Sequence, residues 1–143
     1  NYSTQNFTIM AASRYSGATR GRVVTSNTNN WLFGHHNNKA EVYYAEGWLT
    51  PVSGPNDENW RIFAGVENYG ADQRSFYVNN EIKVLNSAAG SQGFNGLAVG
   101  AWVPGGPSEY SSCEVSCILV YNRLLSTDEM TQNYNALKRR YGL

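Results

Sequence analysis

Apolar and polar residues alternate in short runs along most of this chain, and only near its C-terminal end does the period lengthen to that of a helix. A period of two over four to eight residues predicts strands, and clusters of Asn, Gly, Ser and Pro predict the turns between them. Strands are expected at residues 6–15, 20–26, 31–36, 40–48 and 60–68, with turns at 16–19, 27–30 and 36–39 and a long loop at 53–59. Residues 75–84 read as a hairpin turning at Asn79-Asn80, since Asn tolerates positive φ nearly as well as Gly. A Gly/Ser/Asn-rich loop at 86–96, a strand at 97–103 and a Pro/Gly loop at 104–108 follow. The last strand, 112–121, is apolar on both faces from Ile118 onward, which places its second half inside the core. Ser126 and Glu129 then form a capping-box pattern ahead of Met130, Tyr134, Leu137 and Tyr141, an apolar stripe at helical spacing. Lys138, Arg139 and Arg140 suit the negative end of that helix, and Gly142 stops it. About nine short strands at regular spacing, closed by one helix, predict an all-β, antiparallel β-sandwich of jelly-roll type with the helix packed on one edge.

The closing segment, Val115-Ser116-Cys117-Ile118-Leu119-Val120-Tyr121-Asn122-Arg123-Leu124-Leu125-Ser126, resembles the end of laminin-G-like domains in the concanavalin A-like lectin/glucanase superfamily. Two further stretches match in order: Ser75 to Val84 is similar to the hairpin of that family, and Leu97-Ala98-Val99-Gly100-Ala101 to the strand that follows it. The resemblance covers about the last half of the chain and implies a single concanavalin A-like domain over residues 1–143. It also implies a lead-in strand ahead of Phe7-Thr8-Ile9-Met10 that the sequence does not supply. That strand is expected to be cleaved, donated by a neighbour or carried on sequence outside these residues, which hints at a larger assembly.

The 143 residues suffice for one domain with a sizeable core. Formal net charge is +0, so bulk charge draws the chain neither to nucleic acid nor to an anionic membrane. No apolar run approaches a transmembrane helix, and membrane insertion is not expected. Cys113 and Cys117, at i and i+4 on one face of an extended strand, would lie about 13 Å apart and are expected to be free thiols. Two Asn-x-Ser/Thr sequons, at residues 1–3 and 6–8, read as chance in an Asn-rich chain.

Candidate chemistry is sparse. Glycan-cutting members of the superfamily carry closely spaced carboxylates on one strand face, and no such run exists here. Glu41 and Glu46, five residues apart, fall on opposite faces of a strand. Catalysis is not expected, and glycoside hydrolysis is the remote reading. No cofactor is expected; Ca²⁺ at rim loops 56–59 and 70–72 is the alternative, weighed against plain hydrogen-bonding roles for Asp57 and Asp72. The strongest candidate is an aromatic and amide cluster: Asn29, Asn30, Trp31, His35, His36, Tyr43, Tyr44 and Trp48, with Arg14, Arg22 and Trp102 joining from nearby strands or rims. A sugar ring stacks its apolar face on Trp or Tyr and turns its hydroxyls to amides, imidazoles and guanidinium groups. Trp31, Tyr43 and Trp48 serve equally well as sheet-packing residues. The expected function is therefore a non-catalytic glycan-recognition or adhesion module of a secreted, cell-surface or virion protein, with glycan and further protein copies as partners. The alternative is a structural assembly subunit, such as a capsid decoration or fibre protein.

Overall fold

A computed structural model describes residues 5–88 and 93–143. The sequon at residues 1–3 and the middle of the 86–96 loop lie outside the described residues. Two antiparallel sheets face one another. One has five strands in the order β7-β6-β5-β1-β9, the other four in the order β4-β3-β2-β8. The strands are β1 (Phe7–Arg20), β2 (Val24–Ser26), β3 (Trp31–His36), β4 (Lys39–Ala45), β5 (Arg61–Asn68), β6 (Gln73–Val78), β7 (Glu81–Ser87), β8 (Leu97–Val99) and β9 (Ser111–Tyr121), with helix α1 at Thr127–Tyr141. The expected sandwich and its closing helix are both present.

Between the sheets lies an aromatic core in which Phe7, Trp31, Phe33, Tyr43, Phe63, Phe76 and Phe94 meet Ile9, Ala11, Val23 and Val24. The rings pack edge-on or tilted, as with Phe7 against Phe94 at 4.8 Å between centroids and Trp31 against Phe33 at 5.4 Å, the arrangement that ring quadrupoles favour. A carboxylate sits inside this core. Glu67 accepts hydrogen bonds from the Trp31 indole N–H at 2.6 Å and the Tyr43 hydroxyl at 2.5 Å. Burial pushes the Glu67 carboxyl above its usual range, while those two bonds and nearby Arg74 pull the other way.

A second apolar layer covers the outer face of the five-stranded sheet. There Met130 and Leu137 of α1, with Leu125, pack on Met10, Ala12, Ile62, Ala64 and Tyr77. The helix thus lies across a sheet face and not on an edge, because these strands carry apolar residues on both sides. Its start is the expected capping box, with Ser126 Oγ accepting from Glu129 N and the Glu129 carboxylate accepting from Ser126 N. Gly142, at φ 66°, ends it in the left-handed conformation. Thr8 ties this layer to the sheet: its hydroxyl donates to Arg123 O at 3.0 Å and accepts from Leu125 N at 2.9 Å.

Several boundaries differ from those expected. The turn expected at 16–19 is a bulge within β1: Tyr15 pairs with Cys113 and Arg20 with Ser111, and the four residues between them have no partner in β9. Strand β4 ends at Ala45 because Glu46 turns at φ 59°, so Trp48 folds back to bridge Tyr44. Strand β8 stops at Val99, before Gly100 at φ 79°. Strand β9 is an edge strand, half-buried along most of its length, and not a core strand. A bulge between its pairings to Ala12 and Ser13 leaves Ser116 unpaired. As a result Cys113 packs between the sheets and Cys117 under the helix, on opposite faces and both free.

On the side where β8 and β9 are the edges, the sandwich is open. Val99 pairs with Val24, Leu97 with Ser26 and Val120 with Ile9. Cross-strand partners share a face, so all three side chains turn toward the inter-sheet space, yet they are 48%, 41% and 38% exposed. The edges are tied at one end, where Ser111 N donates to Gly100 O at 2.8 Å.

Candidate functional site

The outer side of the four-stranded sheet carries a continuous polar-aromatic surface, built around the β3–β4 hairpin and a strand of backbone that docks against residues 20–22. Asn37 and Asn38 turn that hairpin at φ 46° and 65°, which sets His36 at the end of β3 on the outward face. Across from it, Gly21 N donates to Tyr110 O and Arg22 N to Glu109 O, both at 2.9 Å. This approach is so close that a Cβ on residue 21 would sit 1.9 Å from Glu109 O. Glycine at 21 is therefore what lets the chain plant the Glu109 carboxylate beside His36.

Between these two pieces lies a cavity of about 480 Å³ lined by Thr19, Arg20, His36, Asn38, Glu109 and Tyr110 among others. Arg22 donates from Nε to Glu109 Oε2 at 2.6 Å and from a terminal nitrogen to Asn30 Oδ1 at 2.9 Å, and its guanidinium lies 3.9 Å from the centre of the Trp102 ring. His36 Nδ1 stands 3.9 Å from Glu109 Oε2 and has no hydrogen-bond partner among the described residues. Burial holds the His36 imidazole below its usual pKa, against the opposing pull of Glu109. The imidazole is stacked on Trp48, centroids 5.4 Å apart and planes 16° from parallel. Trp48 is 44% exposed and meets the Tyr44 ring edge-on at 5.0 Å. Trp102, Arg22, Glu109, His36, Trp48 and Tyr44 thus follow one another without a break.

Of the residues expected at the site, this surface brings together Asn30, His36, Tyr44, Trp48, Arg22 and Trp102. Asn29 lies nearby as a turn residue, its amide donating to Gly93 O at 3.1 Å. Trp31, Tyr43 and His35 face inward and are buried, leaving a ligand no surface to touch. Cross-strand pairing explains part of this: Trp31 and Phe33 stand opposite Ala45 and Tyr43 on the inner face, whereas Leu32 stands opposite Tyr44 on the outer one. Arg14 is on the other sheet, paired with Glu114 at 3.0 Å and lying over Trp60. Arg20, Glu109 and Tyr110 escaped sequence reading because the 104–110 loop shows only turn composition. The one available signal was a glycine between two arginines.

His35 is held between the rings of Tyr15 and Phe63, at 4.7 and 5.0 Å. Burial first, and Arg61 second, push its pKa down to about 3. Its folded value lies below the unfolded one, so below neutral pH the unfolded chain takes up a proton that the folded chain refuses. Stability is therefore full above about pH 6.5 and falls as pH drops toward 3. Chemical unfolding at pH 7 and pH 5 should differ by about 2 kcal/mol from this residue, and a His35→Phe variant should show less of that difference. A wild-type stability flat across the interval would contradict it.

The acidic loops are occupied by the protein itself. Asp57 bonds Arg61 at 2.7 Å, and that contact holds its carboxyl well below the usual range. Asp72 is paired with Arg74. Glu41 joins Arg61 and Lys83, each at 3.1 Å. No three His, Cys, Asp or Glu side chains gather as a metal cluster among the described residues, and among the same residues no helix is long and apolar enough to cross a membrane.

No protein-family model and no curated protein matches the chain. Solved structures do. A mutant of Trypanosoma rangeli sialidase displaying trans-sialidase activity matches with a TM-score of 0.66 at 15% identity, over 96% of this chain and 24% of that one. The Ruminococcus gnavus IT-sialidase CBM40 bound to α2,3-sialyllactose matches at 0.64 and 13%, over 92% of this chain and 83% of that one. A heptameric SAP-like pentraxin from Limulus polyphemus matches at 0.60 and 14%, over 90% and 69%. The chain spans about a quarter of the sialidase it matches but most of the CBM40. At these identities the likeness shows the fold alone: an antiparallel β-sandwich of the concanavalin A-like type.

Proposed function

We propose that this chain is a non-catalytic glycan-recognition module, carried on a secreted, cell-surface or virion protein and serving attachment. The observation that carries the reading is Trp48, an exposed indole stacked on the half-buried His36 imidazole, which itself lines a polar cavity. A pyranose laid on that indole would keep its apolar face dry and turn its hydroxyls toward Glu109, Asn38 and the His36 side. The fold shared with a CBM40 seen with sialyllactose supports it. Among the described residues Glu109 is the single carboxylate lining the cavity, whereas hydrolysis by the two-carboxylate route needs a facing pair.

Trp48→Ala should lower binding on a glycan array at least tenfold with an unchanged melting temperature, since the ring contributes little to the core. Chelator should leave binding unaltered, because the rim carboxylates are already paired with arginines. Full binding by Trp48→Ala would remove the proposal. The open side of the sandwich favours a second reading, an assembly subunit whose partner covers Leu97, Val99 and Val120. Concentration-dependent association in sedimentation experiments, with no glycan bound, would favour that reading.

A further inference from the structure

The geometry points to a neutral, hydroxyl-rich sugar as the ligand of the Trp48–Glu109 site, in preference to an acidic one; this rests on the glycan reading above. A carboxylate-bearing sugar is held best by a cation that has no carboxylate partner already. Arg20, which lines the cavity, and Arg22 beside it are each paired with a carboxylate of the protein. Arg20 donates to Gly17 O at 2.7 Å and to Asn56 Oδ1 and Glu58 Oε1, both at 2.5 Å. Arg22 is clamped by Glu109 and Asn30, with one face closed by Trp102, and its side chain is only 7% exposed.

What the cavity presents instead is an acceptor. Glu109 is 38% exposed; Arg22 Nε binds its Oε2, and its Oε1 takes no hydrogen bond among the described residues. A carboxylate accepts from sugar hydroxyls and repels a second carboxylate. The remaining groups, the side chains of Asn37 and Asn38 and the Tyr110 hydroxyl, are neutral and suit hydroxyls on a ring. His36, desolvated under Trp48, supplies a neutral imidazole. The site thus joins a stacking platform to an acceptor-rich wall, with both of its arginines already paired to carboxylates.

The test is a printed array carrying neutral oligosaccharides (lactose, N-acetyllactosamine, maltose, cellobiose, mannobiose) beside sialylated, sulfated and glucuronylated forms, probed with the full chain. The expected result is binding confined to neutral members, with each acidic counterpart at least about tenfold weaker. Strongest binding to acidic members would overturn this inference and leave the glycan reading standing. No binding to any member would overturn both. A Glu109→Gln variant, checked by circular dichroism to be folded at the assay temperature, provides an independent readout. It should weaken neutral binding and narrow the neutral-to-acidic ratio by about tenfold, since the wall loses its negative charge and Arg22 behind it loses its counter-charge. An unchanged ratio would sink the assignment.

Discussion

Trp31→Ala should destabilise the chain by about 4 kcal/mol, the largest loss expected from any single truncation here. Its ring is fully buried among Phe7, Phe33, Tyr43 and Phe94, and no neighbour can collapse into a space of that size. The cost does not end with the void. Glu67 would lose one of its two short donors while remaining inside the core, and a buried acceptor left short of partners costs about 1–3 kcal/mol more. Against a total stability on the order of 5–15 kcal/mol, much of the molecule would then be unfolded at ambient temperature. Equilibrium denaturation of Trp31→Phe separates the two terms: packing largely survives while the indole donor is gone. If Trp31→Phe and Trp31→Ala lost equal stability, the hydrogen bond would dominate; a loss under about 1 kcal/mol for Trp31→Ala would refute the account.

Gly21→Ala should be nearly as damaging, and by a different route. Residue 21 does not need glycine's backbone freedom; it needs the missing Cβ, because the carbonyl of Glu109 occupies that space. An added methyl pushes the 109–110 segment away. The two backbone hydrogen bonds at 21 and 22 break, and the nearly buried Arg22 loses its carboxylate. Together these should cost about 3 kcal/mol and abolish glycan binding, since the cavity wall moves with the segment. Gly47→Ala is the control: nothing lies within 4 Å of a Cβ there, so melting temperature should barely change. Wild-type melting and binding for Gly21→Ala would show that the segment is not held as described.

Sequence periodicity identified the elements whose side chains decide their own placement. The Asn79-Asn80 hairpin, the Ser126 capping box and the alternation of β3 were legible because local chemistry sets each of them. Where neighbours decide, the pattern misled. In β9, Ile118 and Leu119 are apolar on alternate faces because the sheet is covered on both sides, by the aromatic core and by the helix layer, not because the strand is central. The turn expected at 16–19 became a bulge inside a long strand, because β9 pairs with Tyr15 and again with Arg20 but with nothing between them. Trp31, Tyr43 and His35 could not be separated from Trp48 and His36 by residue type. Strand parity would have sorted those on β3, whereas Trp48 became a surface residue only through the reversal at Glu46 and Gly47. The cavity's other wall, Glu109 and Tyr110, is brought in by tertiary contact from 87 residues beyond Arg22, and nothing near it in the chain announces that.

Strand β1 is covered on both sides, by the aromatic core beneath and the helix above. Sliding it by one residue would exchange Phe7, Ile9 and Ala11 for Thr8, Met10 and Ala12, one greasy set for another, and greasiness alone would barely object. The choice falls to the one hydroxyl in that run. Only in the native alignment does Thr8 reach both the Arg123 carbonyl and the Leu125 amide, so a single oxygen indexes the first strand of the fold against the last turn before the helix.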